Sequence, residues 1–355
     1  MGRRTSRPRA APSPASAPRL PEGGVLYPHF IGIGAQKAGT TWLSRNLQMH
    51  PEVWMPPVKE VHYFDEKMND PGNPAARLFQ NVSGKRDRDR RWRRQVRRRT
   101  GRHLKNFSRQ DALWDLKYYA GRPDDGWYAS LFEPGRGKTA GEITPAYSTL
   151  DPDAVAHVHS LAPEAKIILM LRNPIERAWS QAAMRFDKAG ESAADAAGTE
   201  RLRRLFEREG SRSRTDYLRA LENWGAYYPE DRIFVGFLED VHFFPEELLR
   251  RVYDFLGVDP TFEPPGLTRK VHTRSVGRVP TAPMSYLASS YGEETSRLAE
   301  RFGGYASFWL YCATRLASDP PPEPTIPYPL WESSLWEEWA GSGGGAILQS
   351  GTLAL

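Results

Sequence analysis

Apolar positions along the chain fall into two periods. Short, nearly continuous apolar runs at Tyr27–Ile33, Gly141–Ile143, Lys166–Leu171 and Arg232–Leu238 read as strands buried on both faces. Between them, apolar residues return every three or four positions, as helices packed on a sheet require. Ile175, Ala178, Trp179, Ala182 and Phe186 make one stripe on a helix opened by Pro174. Tyr217, Leu218, Leu221, Trp224 and Tyr228 make a second, and Leu248, Leu249, Val252, Tyr253 and Leu256 a third that Gly257 ends. A further helix over 40–50 follows the first strand and stops at Pro51. The alternation predicts the α/β class: a P-loop-like parallel sheet flanked by helices, in a single domain with disordered termini. No repeat of 20–50 residues is visible.

Some stretches follow neither period. Residues 1–24 carry five Arg, five Pro and one acidic residue, and read as a disordered basic arm. Residues 85–105 hold twelve Lys or Arg against two Asp: an exposed helix, or a surface for an anionic polymer. Residues 318–355 turn Pro-rich and then Gly-rich, with Trp331, Trp336 and Trp339 set to dock on the body or on a partner. The domain is therefore expected over 25–317, with 85–105 as an insert. A formal charge of +6 suits an anionic ligand without identifying one. The single cysteine, Cys312, excludes an internal disulfide framework and a cysteine-based metal cluster, and points to a reducing compartment. The longest apolar run, 165–171, is far short of the roughly 18 residues of a membrane span. With no apolar signal region and too many prolines for an amphipathic transit helix, a cytoplasmic location is expected. Nothing in the sequence sets an oligomeric state.

The first strand leads through Gly34-Ala35-Gln36-Lys37-Ala38-Gly39-Thr40-Thr41 into a helix. Backbone N–H groups and the positive helix end converge there on an anion, Gly39 permits close approach, and Lys37 adds a mobile charge. The Gly34-to-Gly39 spacing matches the nucleotide-triphosphatase loop, but the lysine that should follow the second glycine is Thr40. That displacement argues against an ATP site with magnesium.

The segments QKAGTTWL, HPEVWMPPVKEVHYFD, GEITPAYS and LRNPIERAWSQ, followed by Trp224, Glu239-Asp240 and Phe255-Leu256-Gly257-Val258, together resemble the sulfotransferase family. The likeness is to its carbohydrate branch, the heparan sulfate N- and 3-O-sulfotransferases and their bacterial relatives, and runs in order from about Phe30 to Trp309. It implies a sulfuryl donor, 3′-phosphoadenosine 5′-phosphosulfate (PAPS), leaving as the bisphosphate PAP, with no metal. The 5′-phosphosulfate falls to Lys37, Ala38, Gly39, Thr40, Thr41 and Trp42, and the 3′-phosphate to Arg172 and Ser180. The late loop over 267–278 offers Lys270, Arg274 and Arg278, although it departs from the lysine-glycine loops of the heparan sulfate enzymes. These assignments put two separate anion pockets at either end of the helix-bearing rim of the sheet.

For the proton, the resemblance places the base on Glu60, with His62, Lys59 and Asp65 supporting it or binding substrate, and Lys37 neutralising the leaving oxygen. If 59–65 is extended, Glu60, His62 and Phe64 share one face. His62 is the rival base, because an unperturbed imidazole titrates near neutrality. Burial would raise the Glu60 pKa and a neighbouring lysine would lower it, which leaves the net shift open. Glu142 is a candidate for substrate binding or for a structural pair with a basic residue, in a segment where Ile143 replaces the family's lysine. The expected acceptor is a carbohydrate hydroxyl or amine, and no nucleic-acid partner is expected. Two other readings fit the raw features: a polyanion- or nucleic-acid-binding module on an α/β scaffold, and a P-loop small-molecule kinase using ATP. Trp92 alone among aromatics in the basic run provides little base-stacking surface.

Overall fold

The computed structural model describes residues 24–67, 94, 96–99, 101, 108–267 and 277–344. The arm up to residue 23, most of the basic insert, Lys270, Arg274 and the residues after 344 lie outside the described residues. Strands β1 (Phe30–Gly34), β2 (Val53–Trp54), β3 (Thr139–Ile143), β4 (Lys166–Leu171) and β5 (Ile233–Phe237) pair in parallel in the order β2-β3-β1-β4-β5. β1 is buried throughout and β4 in all but its first residue, which is why both read as unbroken apolar runs. The two-residue β2 is too short to give any period.

Helices α1 (Thr40–Met49), α2 (Arg109–Ala120), α3 (Asp125–Ser130), α4 (Pro152–Leu161), α5 (Pro174–Lys188), α6 (Tyr217–Gly225), α7 (Leu238–Phe243) and α8 (Pro245–Leu256) connect or follow these strands. α5 starts where the sequence says it must. The Asn173 side chain accepts the Ile175 N–H, Pro174 fills the first turn, and the predicted stripe is buried. The same helix also buries Arg177, which donates to Thr215 Oγ1 at 2.7 Å, Gln181 Oε1 at 2.9 Å and the Ser211 carbonyl at 3.0 Å, so its charge is spent on fixing the chain before α6. α8 ends on Gly257 at φ 75, as its stripe predicts.

A long pair, α9 (Thr281–Phe302) and α10 (Gly304–Ser318), packs together and lays α9 on α5. β6 (Arg278–Pro280) and β7 (Thr325–Pro327) then form a small antiparallel sheet, and α11 (Ser334–Trp339) follows. The tail tryptophans dock on the body: Trp336 stacks on Phe243 and meets Phe308 edge-on, Trp331 stacks on His242, and Trp339 is buried. Of the basic insert, Arg99 is buried and holds both carboxylate oxygens of Asp115 on α2, at 3.0 and 2.8 Å from Nε. That arginine is an anchor of the fold. Among the described residues no helix is long and apolar enough to cross a membrane.

The strand order reverses between β1 and β4: the chain leaves β1 toward β2 and β3 on one side and continues through β4 and β5 on the other. Loops diverge at such a point and open a crevice at the carboxyl ends of the two strands. Lys37 follows β1 and Arg172 follows β4, so the two expected anion-binding elements are neighbours. The expectation of pockets at opposite ends of the rim is corrected by this order.

Candidate active site

The loop after β1 turns through two left-handed residues, Lys37 at φ 76 and Gly39 at φ 83, before α1 begins at Thr40. Gly39 is required twice over. Its backbone conformation disfavours a side chain, and a Cβ there would press on Leu238 and Val241 of α7 at 3.1 and 3.3 Å. Lys37 holds that conformation without the excuse of being glycine, which is strain of about 1–3 kcal/mol kept at the loop between β1 and α1. Ala38 and Thr40 are buried and Thr41 is partly exposed. Trp42, placed by the sequence at the nucleotide, is 5% exposed and donates its indole N–H to the Leu267 carbonyl at 3.1 Å.

Arg172 reaches directly into this loop. Its Nη1 donates to the Lys37 carbonyl at 3.1 Å, while the Tyr217 hydroxyl donates to the Arg172 carbonyl at 2.8 Å. Arg172 is 8% exposed, and its Nε lies 3.5 Å from Glu176 Oε2. Nε of Arg172 and Nδ2 of Asn173 are buried without a hydrogen-bond partner among the described residues. Ser180 lies about two turns along α5 and is also buried. Arg278, expected at a phosphate, is exposed on β6 and gives its Nε and Nη2 to the Thr325 side chain and carbonyl.

The stretch 59–65 is not extended. Glu60 and His62 both sit in the left-handed region, at φ 66 and φ 56, and a turn of π-helix begins at Tyr63. Two backbone anchors impose this shape. Val61 N–H donates to Glu142 Oε2 at 3.3 Å, and Tyr63 N–H donates to the Tyr147 hydroxyl at 2.9 Å. Glu142, read from sequence as a candidate for substrate binding or for a structural pair with a basic residue, has three hydroxyls and one backbone amide as its hydrogen-bond partners. It is 1% exposed and accepts from Tyr128 at 2.8 Å, Thr144 at 2.6 Å and Tyr147 at 3.2 Å as well as from Val61, and its burial pushes its pKa up. It reaches the 59–65 stretch through the Val61 amide directly and through the Tyr147 hydroxyl to the Tyr63 amide.

Glu60 and His62 are nevertheless brought together, by the paired left-handed turns instead of by a strand. His62 Nε2 lies 3.5 Å from Glu60 Oε2 and its Nδ1 bonds Asp65 Oδ2 at 2.8 Å. Lys59 Nζ bonds Glu60 Oε1 at 2.7 Å and Thr41 Oγ1 at 3.2 Å. Burial alone would raise the Glu60 carboxyl, but His62 and Lys59 outweigh it and hold the pKa at about 2. Burial likewise opposes the His62 imidazolium, and Asp65 and Glu60 outweigh it, lifting that pKa to about 10. At neutral pH the pair is carboxylate and imidazolium. His62, Asp65 and Glu66 bring possible metal-ligand atoms within 4.8 Å of one another, and the His62–Asp65 bond already engages two of them.

The sequence singles out Lys37, Glu60, His62 and Arg172, and the structure sets the last beside the first and the middle two side by side. It gives no warning of Tyr217, Glu176 and Tyr328, which surround Arg172. Tyr128 and Tyr147, which seat Glu142, are also unsignalled as partners, although Tyr147 belongs to a segment that the sequence flags.

Among known proteins, the chain is 28% identical over 165 residues to the membrane-associated sulfotransferase kil1 of Dictyostelium discoideum, covering 45% of this chain and 24% of that protein. It is 25% identical over 336 residues to carbohydrate sulfotransferase 15 of Rattus norvegicus, covering 79% of this chain and 54% of that one. The chain thus spans from about a quarter to about half the length of the curated relatives it matches. In fold it is similar to a crystal structure of a sulfotransferase from Alicyclobacillus acidocaldarius, with a TM-score of 0.51 and 24% identity, covering 78% of this chain and 96% of that one. A model of the sulfotransferase family matches residues 28–264, a stretch holding both the loop after β1 and the Glu60–His62 turn. With that match across most of the sheet and its crevice, the chain belongs to the sulfotransferase family.

Proposed function

We propose that the protein transfers a sulfuryl group from PAPS to a hydroxyl or amine of a carbohydrate, without a metal and with Glu60 as general base. The observation that carries this reading is the Lys59 bridge: one ammonium bonds Thr41 in the anion loop and the Glu60 carboxylate together. Bound PAPS supplies a sulfur already attached to a phosphate that leaves readily. An acceptor O–S or N–S bond forms while the S–O bond to the 5′-phosphate breaks, its electron pair departing with the phosphate and the acceptor's proton passing to Glu60.

The residues suit these tasks. Lys37, Lys59 and the first amides of α1 place positive charge where the leaving oxygen gains negative charge, the role a metal would otherwise fill. The guanidinium of Arg172 and the unpartnered Nδ2 of Asn173 are donors suited to the oxygens of a 3′-phosphate. His62, an imidazolium at neutral pH, has no vacant site for a proton, whereas Glu60 has. An anion in the loop competes with Glu60 for the Lys59 ammonium. Each bond that Lys59 surrenders raises the proton affinity of the carboxylate toward what a base at pH 7 needs. The carbohydrate acceptor is supported by the likeness to carbohydrate sulfotransferase 15.

The test incubates the protein with labelled PAPS, with and without EDTA, and a panel of uronate- and hexosamine-containing oligosaccharides, and reads products by mass spectrometry. One added sulfuryl group on an oligosaccharide, unaffected by EDTA, is the expected result. Label transfer to a lipid or small phenol alone would overturn the carbohydrate acceptor. No transfer together with no PAP binding would overturn the whole reading.

A further inference from the structure

The C-terminal strap, residues 325–339, lies beyond the 28–264 region that matches the family, yet it reaches the crevice. Arg172 Nη2 donates to the Tyr328 hydroxyl at 2.5 Å, and the guanidinium carbon lies 5.6 Å from the centre of the Tyr328 ring. Two residues on, the Leu330 N–H donates to Glu176 Oε1 at 2.7 Å, and the other oxygen of Glu176 faces Arg172 Nε. The guanidinium is thereby held on three sides, by the Lys37 carbonyl, the Tyr328 hydroxyl and the Glu176 carboxylate that the strap itself seats.

The strap has its own fixings. β7 pairs with β6, Arg278 grips Thr325, Leu330 and Leu335 are buried, and the tryptophans of α11 pack on α7 and α10. Tyr328 is therefore carried to Arg172 by a folded element. An arginine has five N–H donors in one rigid plane; the bonds at Nη1 and Nη2 use two of them, and Nε faces Glu176. The orientation of that plane decides whether the remaining two, one on each Nη, can grip a phosphate bidentately.

We propose that Tyr328 is a positioning residue of the donor site: it sets the plane of the Arg172 guanidinium for the 3′-phosphate of the nucleotide. The inference rests on the assignment of Arg172 to that phosphate. Removing the hydroxyl frees the guanidinium to turn and costs affinity only for a ligand that carries a 3′-phosphate.

The experiment measures PAP and adenosine 5′-monophosphate binding by calorimetry on the full chain, for wild type, Tyr328→Phe, Tyr328→His and Arg172→Ala. Tyr328→Phe is expected to weaken PAP about tenfold, which is about 1.4 kcal/mol, and to leave the monophosphate unchanged. Tyr328→His restores an acceptor and is expected to recover part of the loss; should Tyr328→Phe fail to fold, its selectivity ratio decides. Equal weakening of both nucleotides by Tyr328→Phe would reduce the tyrosine to general packing and overturn the proposal. So would wild-type PAP affinity in Tyr328→Phe while Arg172→Ala loses the preference for PAP. An Arg172→Ala protein that still prefers PAP over the monophosphate would instead overturn the assignment of Arg172 beneath it.

Discussion

Replacing Glu142 tests whether a residue out of reach of the crevice governs the base inside it. Its carboxylate collects four donors: the Tyr128, Tyr147 and Thr144 hydroxyls and the Val61 amide. In Glu142→Gln the amide oxygen can keep Val61 and Thr144. The new NH₂ then faces the two tyrosine hydroxyls, which can rotate to accept, so the expected loss is about 1–2 kcal/mol of stability. In Glu142→Ala all four donors lose their acceptor. At about 1–3 kcal/mol for each buried donor left wanting, offset where the hydroxyls find one another, the loss is about 3–5 kcal/mol, the upper end for a single substitution. The Val61 amide cannot rotate away, so the left-handed turn at Glu60 and His62 relaxes toward ordinary backbone and the carboxylate leaves its place beside Thr41 and Lys59. Turnover is then expected to fall about 10- to 100-fold for alanine, as a misplaced catalytic group does, and little for glutamine, while PAP affinity holds in both. Chemical denaturation and steady-state kinetics with calorimetric PAP binding read the three quantities. A folded Glu142→Ala protein with wild-type turnover would refute the idea that this anchor places the base.

Glu60→Gln is expected to lower turnover by about 10²–10⁴-fold with PAP affinity unchanged, the signature of a lost proton acceptor, and quench-flow kinetics would show the chemical step slowed. The His62–Glu60 pair sets a pH window for stability. His62, raised to about 10, contributes fully below its unfolded value of 6.5 and loses that contribution as pH rises toward 10. Glu60, lowered to about 2, contributes above its unfolded value of 4.5 and loses it as pH falls toward 2. His62→Gln is therefore expected to flatten the alkaline decline in Tm between pH 6.5 and 10, and an unchanged decline would remove the pair from that role. At position 37, Lys37→Ala and Lys37→Gly should both lose transfer. The glycine variant should be the more stable by about 1 kcal/mol, because only it adopts a φ of 76 without strain, and urea titration of the two side by side checks this.

Much of the fold is legible in the sequence because it is locally written. Lys166–Leu171 is a strand in both, since a run of that length buried on two faces leaves no other period to read. Pro174 and Gly257 mark helix ends through their own backbone limits. The turn from β1 into α1 is legible for the same reason: Gly39 marks it through its own backbone freedom. The shape of 59–65 is not, because alternation assumes ordinary backbone, and the left-handed residues are imposed by Glu142, 81 positions from the amide it holds. Tyr328 is hidden further still, 156 positions from Arg172 and in a segment set apart on composition. The α9–α10 pair escaped because its stripe is interrupted by Pro283, Gly292 and Gly303 and broken by many small polar residues.

The two left-handed turns have a bearing on protein engineering. A peptide copied from 59–65, or the same seven residues spliced into another scaffold, would relax to extended chain and part its acid from its imidazole, since the two anchors of its backbone, Glu142 and the Tyr147 hydroxyl, lie outside those residues. A working transplant must bring the strand that carries Glu142 and the tyrosine that follows it, so the smallest portable unit of this arrangement is a piece of sheet and not a linear motif.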